Sequence, residues 1–398
     1  MGRAGELFLA LLVQDLGPAY VDEEHGFSVH PPAAWGLRET APGSVGFAPR
    51  DRSAPPAYFR VTHYSTSNPT PLKSFLLQAK EFIRGEFREA RFSQEKEMRV
   101  SGRPAVRLAF TCGGDLQLKT IVHRTNLEYY LLDARMPESE SSRYGPLLEA
   151  AMDSLAVLPL RLTAEEGAAH GRFLACLRSG ISLPPEFAGE ERLAVFLGKA
   201  RIGGQRSRVS LAADGRVEFA LDISADFGGG NRDGSVVRGM FTLDARSQTV
   251  EVERVKENPQ ERWRFRASGS LAGGRARVSR DMNGFREEAD FAVEEGVLFE
   301  DVADVFEKLL AAAGKGSYLL RALSPYEDEP GVRFLEVSER ETMEISGRRE
   351  EAAVVFRRRD RGKTETFYYG AGGRLIRQGG LKEAFHLRAV SREEFEKP

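Results

Sequence analysis

The residues best suited to chemistry in this chain are its six histidines, four of which, His25, His30, His63 and His123, fall in its first third. Imidazoles on neighbouring strands can hold a transition metal. No pair here has ligand spacing within one strand or helix, so the expected reading is solvated or locally hydrogen-bonded histidines. Two glycine-rich stretches invite comparison with anion cradles. Gly228-Gly229-Gly230-Asn231-Arg232-Asp233-Gly234-Ser235 lacks the Gly-Lys-Ser/Thr ending of a phosphate loop and opens no helix, while Gly314-Lys315-Gly316-Ser317 follows a helix and leads into a strand. Both read as loops, and Asp226 and Asp233 do not have calcium-loop spacing. Gly43-Ser44-Val45-Gly46 is one residue short of a nucleophile elbow and follows no buried strand. Cys112, beside Gly113-Gly114, has nothing to mark it as a nucleophile. No catalytic, metal-binding or cofactor-binding residue is assigned, and no cofactor is expected.

Charge narrows the partners. With 57 basic and 59 acidic side chains the formal charge is -2, which leaves no global field for nucleic acid or an anionic membrane surface. The acidic run Glu327-Asp328-Glu329 and the basic run Arg357-Arg358-Arg359 both lie beside expected turns, where solvated charge needs no function. The two cysteines, Cys112 and Cys176, are too few for a disulfide scaffold and read as unpaired thiols, with a single bridge between the first domain and the helix that follows as the alternative. No stretch approaches the ~20 apolar residues that span a bilayer, so no integral membrane span is expected. The apolar run at 7–13, with Arg3 before it and Gly17-Pro18-Ala19 after it, has the length of a signal-peptide core, although Glu6 and Asp15 depart from that pattern. Export to the periplasm or another extracytoplasmic space is the expected location, with the cytoplasm as the alternative. Residues 1–19 are set apart as a signal or N-terminal segment.

The elements that position these residues follow from hydrophobic period. Leu72, Phe75, Leu76, Ala79, Phe82, Ile83 and Phe87 recur at helical spacing behind Pro71, and Leu147, Leu148, Ala151, Met152 and Leu155 form a second helical stripe. Strands are expected at 58–64, 105–111, 118–123 and 129–135, which makes an antiparallel sheet with helices on its faces the economical arrangement. Thr163-Ala164-Glu165-Glu166 fits a capping box, and Gly180 fits the stop of a helix carrying Phe173, Leu174 and Leu177. Leu183-Pro184-Pro185 then breaks the chain. Residues 161–186 therefore read as a linker helix and hinge. Beyond Glu191 the pattern turns to strands punctuated by Asp214-Gly215, Gly273-Gly274, Asn283-Gly284 and Gly372-Gly373. One helix, 299–313, interrupts them, with Val302, Val305, Phe306, Leu309 and Leu310 on one face. A long antiparallel sheet must curl around that helix to cover it.

Two stretches a hundred residues apart carry a family resemblance. The first is Glu23-Glu24-His25-Gly26-Phe27-Ser28-Val29-His30-Pro31-Pro32-Ala33-Ala34-Trp35. The second runs from Val100-Ser101-Gly102-Arg103-Pro104-Ala105 through the strands that follow to a helix ending Met152-Asp153-Ser154-Leu155. Their order resembles the PsbP/Mog1-like domains over about residues 20–158, which implies an α/β sandwich and no particular activity. The later half is similar to lipoprotein-carrier (LolA/LolB-like) periplasmic domains, in which a curved sheet partly encloses a helix. That similarity rests on Phe196-Leu197-Gly198-Lys199-Ala200-Arg201-Ile202-Gly203-Gly204 and on Thr366-Phe367-Tyr368-Tyr369-Gly370-Ala371-Gly372-Gly373-Arg374-Leu375-Ile376.

The expected protein is thus α+β, with a sandwich at 20–160, a linker at 161–186 and a curved antiparallel β domain at 187–398. Its expected role is a non-enzymatic, exported binding or assembly module for an unknown protein partner. The alternative is a carrier or sensor in which Val302, Phe306 and Leu309 line a cleft for an apolar, lipid-like ligand; the same residues equally fill a core. The third reading is a hydrolase with a site assembled between the domains.

Overall fold

The computed structural model describes residues 15–51, 53–66, 69–158, 162–181, 183–259, 262–345, 348–359, 364–379 and 385–396. The apolar run at 7–13 lies outside the described residues. The chain divides into two compact units, residues 1–161 and 162–398.

In the first unit the strands are β1 (Tyr20–Asp22), β2 (Phe27–Val29), β3 (Trp35–Ala41), β4 (Ser44–Pro49), β5 (Tyr58–Ser65), β6 (Arg91–Val100), β7 (Arg103–Cys112), β8 (Asp115–His123), β9 (Glu128–Pro137) and β10 (Ala156–Val157), with helices α1 (Leu72–Glu86) and α2 (Ser141–Asp153). Seven strands form one antiparallel sheet in the order β3-β4-β5-β9-β8-β7-β6, and β1, β2 and β10 form a small second sheet. The run Ala105 to Phe110 is buried on every residue because the sheet is covered on both faces. Val106, Leu108 and Phe110 face α1 through Phe75, Leu76 and Ile83. Ala105 and Ala109 face α2 through Leu148, Ala151 and Met152. Arg107 points to the α2 side, where it donates to Thr120 Oγ1 at 2.8 Å and to Asp153 Oδ1 at 2.6 Å. Phe82, expected on the apolar stripe of α1, is instead exposed: the stripe that meets the sheet is Phe75, Leu76 and Ile83, and Phe82 precedes Ile83 by 100° around the helix.

The second unit opens with α3 (Ala164–Ser179), whose capping box forms as expected: Thr163 Oγ1 accepts from Glu166 N, and Glu166 Oε2 accepts from Thr163 N. Strands β11 (Gly189–Leu197), β12 (Ala200–Leu211), β13 (Val217–Gly228), β14 (Asn231–Phe241), β15 (Ser247–Glu257), β16 (Arg262–Ala272), β17 (Arg275–Met282) and β18 (Phe285–Ala292) follow as a meander. Then come β19 (Val297–Phe299), α4 (Glu300–Ala313), β20 (Gly316–Leu323), β21 (Gly331–Ile345), β22 (Arg348–Arg359), β23 (Thr364–Tyr369), β24 (Leu375–Gln378), β25 (Phe385–Ala389) and the short α5 (Arg392–Phe395). All fifteen strands join one sheet, ordered β18 down to β11, then β25 down to β19. Every pairing is antiparallel except β19 with β20.

A sheet of this width curls, and α4 fills the curl. Its residues Val302, Ala303, Phe306, Leu309, Leu310 and Ala311 are buried among residues from both halves of the sheet. The side-chain amide of Gln248 on β15 ties the curl together from within. Its Nε2 donates to Val297 O at 2.9 Å and Ala245 O at 3.0 Å, and its Oε1 accepts from Phe299 N at 2.8 Å. Gly269 on β16 permits the same approach, since a Cβ there would lie 2.6 Å from Phe299 Cζ.

The expected linker at 161–186 is corrected. Phe173 and Leu177 of α3, and Phe187 after the proline pair, belong to the core of the second unit, with Phe173 edge-on to Phe306 at 6.0 Å. His170 and Arg172 bond to the carbonyls of Leu319 and Ser317 on β20. A helix with one apolar stripe is stabilised by burying that stripe, and α3 buries it here.

Candidate functional site

The histidines of the first unit fall into three places. His25 and His63 come together, their rings 5.4 Å apart. Asp22 holds His25, accepting from its backbone N at 2.9 Å and lying 3.0 Å from Nδ1. His63 Nε2 lies 3.7 Å from Glu128 Oε1. Gly43, at φ +70°, lets the β3–β4 turn pass against His25, where a Cβ would come within 3.2 Å of the ring. Burial acts to raise the Glu128 carboxyl, but the neighbouring His63, Arg124 and His25 side chains more than offset it and hold the group below its ordinary range. Burial pushes the Tyr130 phenol up to about 12 while its hydroxyl donates to His25 O and Gly26 O. His123 lies apart with Asn126, and His30 is exposed against Gly17 O. Among the described residues no group of three His, Cys, Asp or Glu has the geometry to hold a metal ion. Cys112 and Cys176 are free thiols.

Val302 and Phe306 are 0% exposed and Leu309 is 1% exposed. Phe241 packs on Phe306 at 5.2 Å and Phe173 covers it from another side. They fill a core.

The face of α4 away from that aromatic packing carries acids instead. Asp304 Oδ1 accepts from Arg333 at 2.6 Å and from Arg357 at 3.0 Å. Glu307, fully buried, accepts from Tyr369 OH at 2.8 Å and lies 3.4 Å from Arg357 Nη1. Arg357 also pairs with Glu365 at 2.8 Å and stacks 4.0 Å over the Phe367 ring. Burial acts to lower the Arg357 guanidinium, and Glu307, Asp304 and Glu365 raise it further, so it stays charged. The solvated-hairpin reading of Arg357-Arg358-Arg359 is therefore corrected for two members: Arg357 is buried in this network, and Arg358 sits over Phe334 and pairs with Glu166 at 3.5 Å. At the start of the same helix, burial and the Glu300 and Asp304 charges push the Asp301 carboxyl up to about 7, with Arg254 and Arg333 opposing. Asp328, from the expected acidic run, pairs with the buried Arg280 at 2.8 Å.

A concavity of about 980 Å³ lies on the outward face of β12 to β18, and a second of about 860 Å³ continues it. Strand register builds it. Arg208, Ala220, Arg238, Glu251, Ser268, Ser279 and Glu288 are successive cross-strand partners, forming one row across the sheet. The small Ala220, Ser268 and Ser279 make its floor low. Two residues along the strands, the parallel row Ser210, Glu218, Met240, Thr249, Ser270, Arg277 and Asp290 raises one rim. Rim charges are mostly satisfied internally, as in Arg277 with Asp290 at 3.2 Å and Arg266 with Glu253 at 3.4 Å, while Glu218 makes no ion pair among the described residues. Floor charges are not: among the described residues Arg238, Glu251 and Glu288 make no ion pair, although Arg238 and Glu251 face each other directly across β14 and β15. No histidine, lysine or cysteine lines the trough. Alternation along β12 to β18 was the available signal for this face, but register is needed to see which outward residues share a row.

No known protein family matches the chain by sequence, and no curated protein matches it. Solved structures do resemble parts of it. One is the cyanobacterial PsbP (CyanoP) of Synechocystis sp. PCC 6803, 14% identical, covering 35% of this chain and 91% of that one with a TM-score of 0.30. Another is the Ran-binding protein Mog1p of Saccharomyces cerevisiae, 8% identical, covering 33% and 90% with a TM-score of 0.26. A third is a beta-barrel-like protein of the domain of unknown function DUF1849 from Brucella abortus, 13% identical, covering 50% and 93% with a TM-score of 0.38. These likenesses concern fold and carry nothing about activity. The antiparallel sheet with helices on its faces, expected near the N-terminus, is the helix-covered seven-stranded sheet of the first unit. None of the structures named is a lipoprotein carrier.

Proposed function

We propose that this protein is a non-enzymatic binding or assembly module and that a protein partner seats in the outward trough of β12 to β18. The observation that carries this reading is the unpaired floor row. Arg238, Glu251 and Glu288 stay solvated in a concavity most of whose rim charges are already matched, which suits a partner that supplies opposite charges in the same order. Ser268, Ser270 and Ser279 lack any neighbouring imidazole or amine in the trough that would activate them, which supports binding over catalysis. Export belongs to the same reading, on the support of the apolar run at 7–13.

A photo-crosslinking amino acid placed at Ser268 in the full chain, expressed in its own cells, tests the proposal. A discrete protein adduct is expected, weakened about tenfold or more by Arg238→Glu, since reversing one matched charge costs on the order of 1–2 kcal/mol at a partly solvated site. An absent adduct, or one indifferent to Arg238→Glu and to Glu288→Arg, would overturn it.

A further inference from the structure

The meander has two ends, and they differ. Connections after β11, β13, β15 and β17 all emerge at one end, because successive strands alternate in direction. β25 also begins there, since it pairs antiparallel with β11 and Phe385 is the register partner of Leu197. Four large apolar side chains project at this end: Leu197 is 48% exposed, Phe227 49%, Phe285 43% and Phe385 47%. At the opposite end of the meander only Leu211 is comparably exposed among the described residues. Single exposed apolar residues need no explanation, but four gathered on the tips of one rim form a pattern.

The charges at these tips are arranged in a consistent way. Each of three successive hairpins closes an ion pair across its own turn: Asp226 with Arg232 at 3.2 Å, Glu257 with Arg262 at 2.9 Å, and Asp281 with Arg286 at 3.4 Å. Two of these turns carry Phe227 and Phe285. The first two touch, since a Cβ on Gly230 would lie 3.3 Å from Pro259 Cγ. The tips that bear Phe227 and Phe285 are therefore close to neutral, and each presents its phenylalanine as the unmatched feature. A protein interface favours one contiguous apolar patch with a polar rim. Separate neutral tips, each bearing one apolar group, fit a surface that accepts apolar side chains anywhere and demands no complementary charge. A lipid bilayer interface has that chemistry.

We propose that this rim of the second unit docks on a zwitterionic lipid surface, with Leu197, Phe227, Phe285 and Phe385 entering the headgroup region. The docking is peripheral, and no helix among the described residues is long and apolar enough to cross a membrane. It is independent of the trough, which lies on the outward face between the two ends.

Co-sedimentation of the full chain with phosphatidylcholine vesicles tests the inference. Saturable binding is expected, changed less than about twofold between about 0.05 and about 0.5 M salt because phosphatidylcholine carries no net charge. Phe227→Ser and Phe285→Ser should each lower the partition coefficient about tenfold, and together about a hundredfold, as exposed apolar area is lost. Both positions are exposed, so the unfolding midpoint of each variant should match the parent and separate lost docking from lost folding. Absence of binding to phosphatidylcholine would overturn the proposal, as would binding that requires anionic lipid and disappears with salt. It is equally overturned if the variants bind vesicles like the parent, or if they change the oligomeric state in light scattering while vesicle binding is absent, which would make the rim an interface between copies.

Discussion

Asp301 shows how burial alone can make one residue pH-sensitive. Its carboxyl ordinarily titrates near 3.8 and is pushed up to about 7 in the folded chain by burial and by Glu300 and Asp304. A group whose folded pKa is raised contributes stability that is fully present below the unfolded value and is lost as pH rises through the folded value. The window is therefore about pH 4 to 7, and over roughly three pH units at about 1.4 kcal/mol each the loss is at most about 4 kcal/mol. Asp301→Asn keeps the shape and removes the titration. Urea unfolding should show the variant close to the parent near pH 4 and progressively more stable than it by pH 8; parallel curves would refute the assignment. At this scale the sequence was only partly legible. Thr163 and Glu166 announced their capping box by spacing, because both partners are local. Arg357 and Glu307 did not announce theirs, since 50 residues of chain separate them and only the packing of α4 under β22 brings them within 3.4 Å.

Among elements, β19 is the most exposed to a single substitution elsewhere. It has three residues, and its carbonyl at Val297 and amide at Phe299 depend on Gln248 from β15. Gln248→Met preserves volume and leaves both groups without the amide, at a cost of about 2–6 kcal/mol if each buried group costs about 1–3. Denaturant unfolding of the second unit measures it, and a change below about 1 kcal/mol would show that water or the chain replaces those bonds. The elements themselves were legible where their period was strong. Asp214-Gly215 and Asn283-Gly284 marked turns between strands, and α4 was marked by Val302, Phe306 and Leu309. What period does not report is how closely neighbours approach. Nothing local to 299–313 distinguishes a helix lining an open cleft from one pressed against Phe173 and Phe241, and the structure has the second.

For the whole molecule, the boundary between the units decides what can fold alone. A fragment beginning at residue 162 keeps Phe173, Leu177 and Phe187 and should unfold cooperatively, whereas one beginning at 187 loses two buried side chains of α3 worth about 3–6 kcal/mol together. Calorimetry of both fragments checks this, and equal melting temperatures would restore α3 to the role of a linker. The order of strands carries a further consequence for how the second unit is made. β11 is the first strand of its sheet and lies at the middle, between β12 and β25. β12 to β18 can each add to the strand before them through a short turn, so one half of the sheet grows as the chain is synthesised. Val195, however, meets its other partner at Leu387, and that contact waits for β25, far along the chain, to appear. Until then β11 presents an open edge at what will become the centre of the sheet. The middle of this sheet is the last part of it to be built, and a chain that has not yet reached β25 holds two half-sheets with their inner edges unpaired.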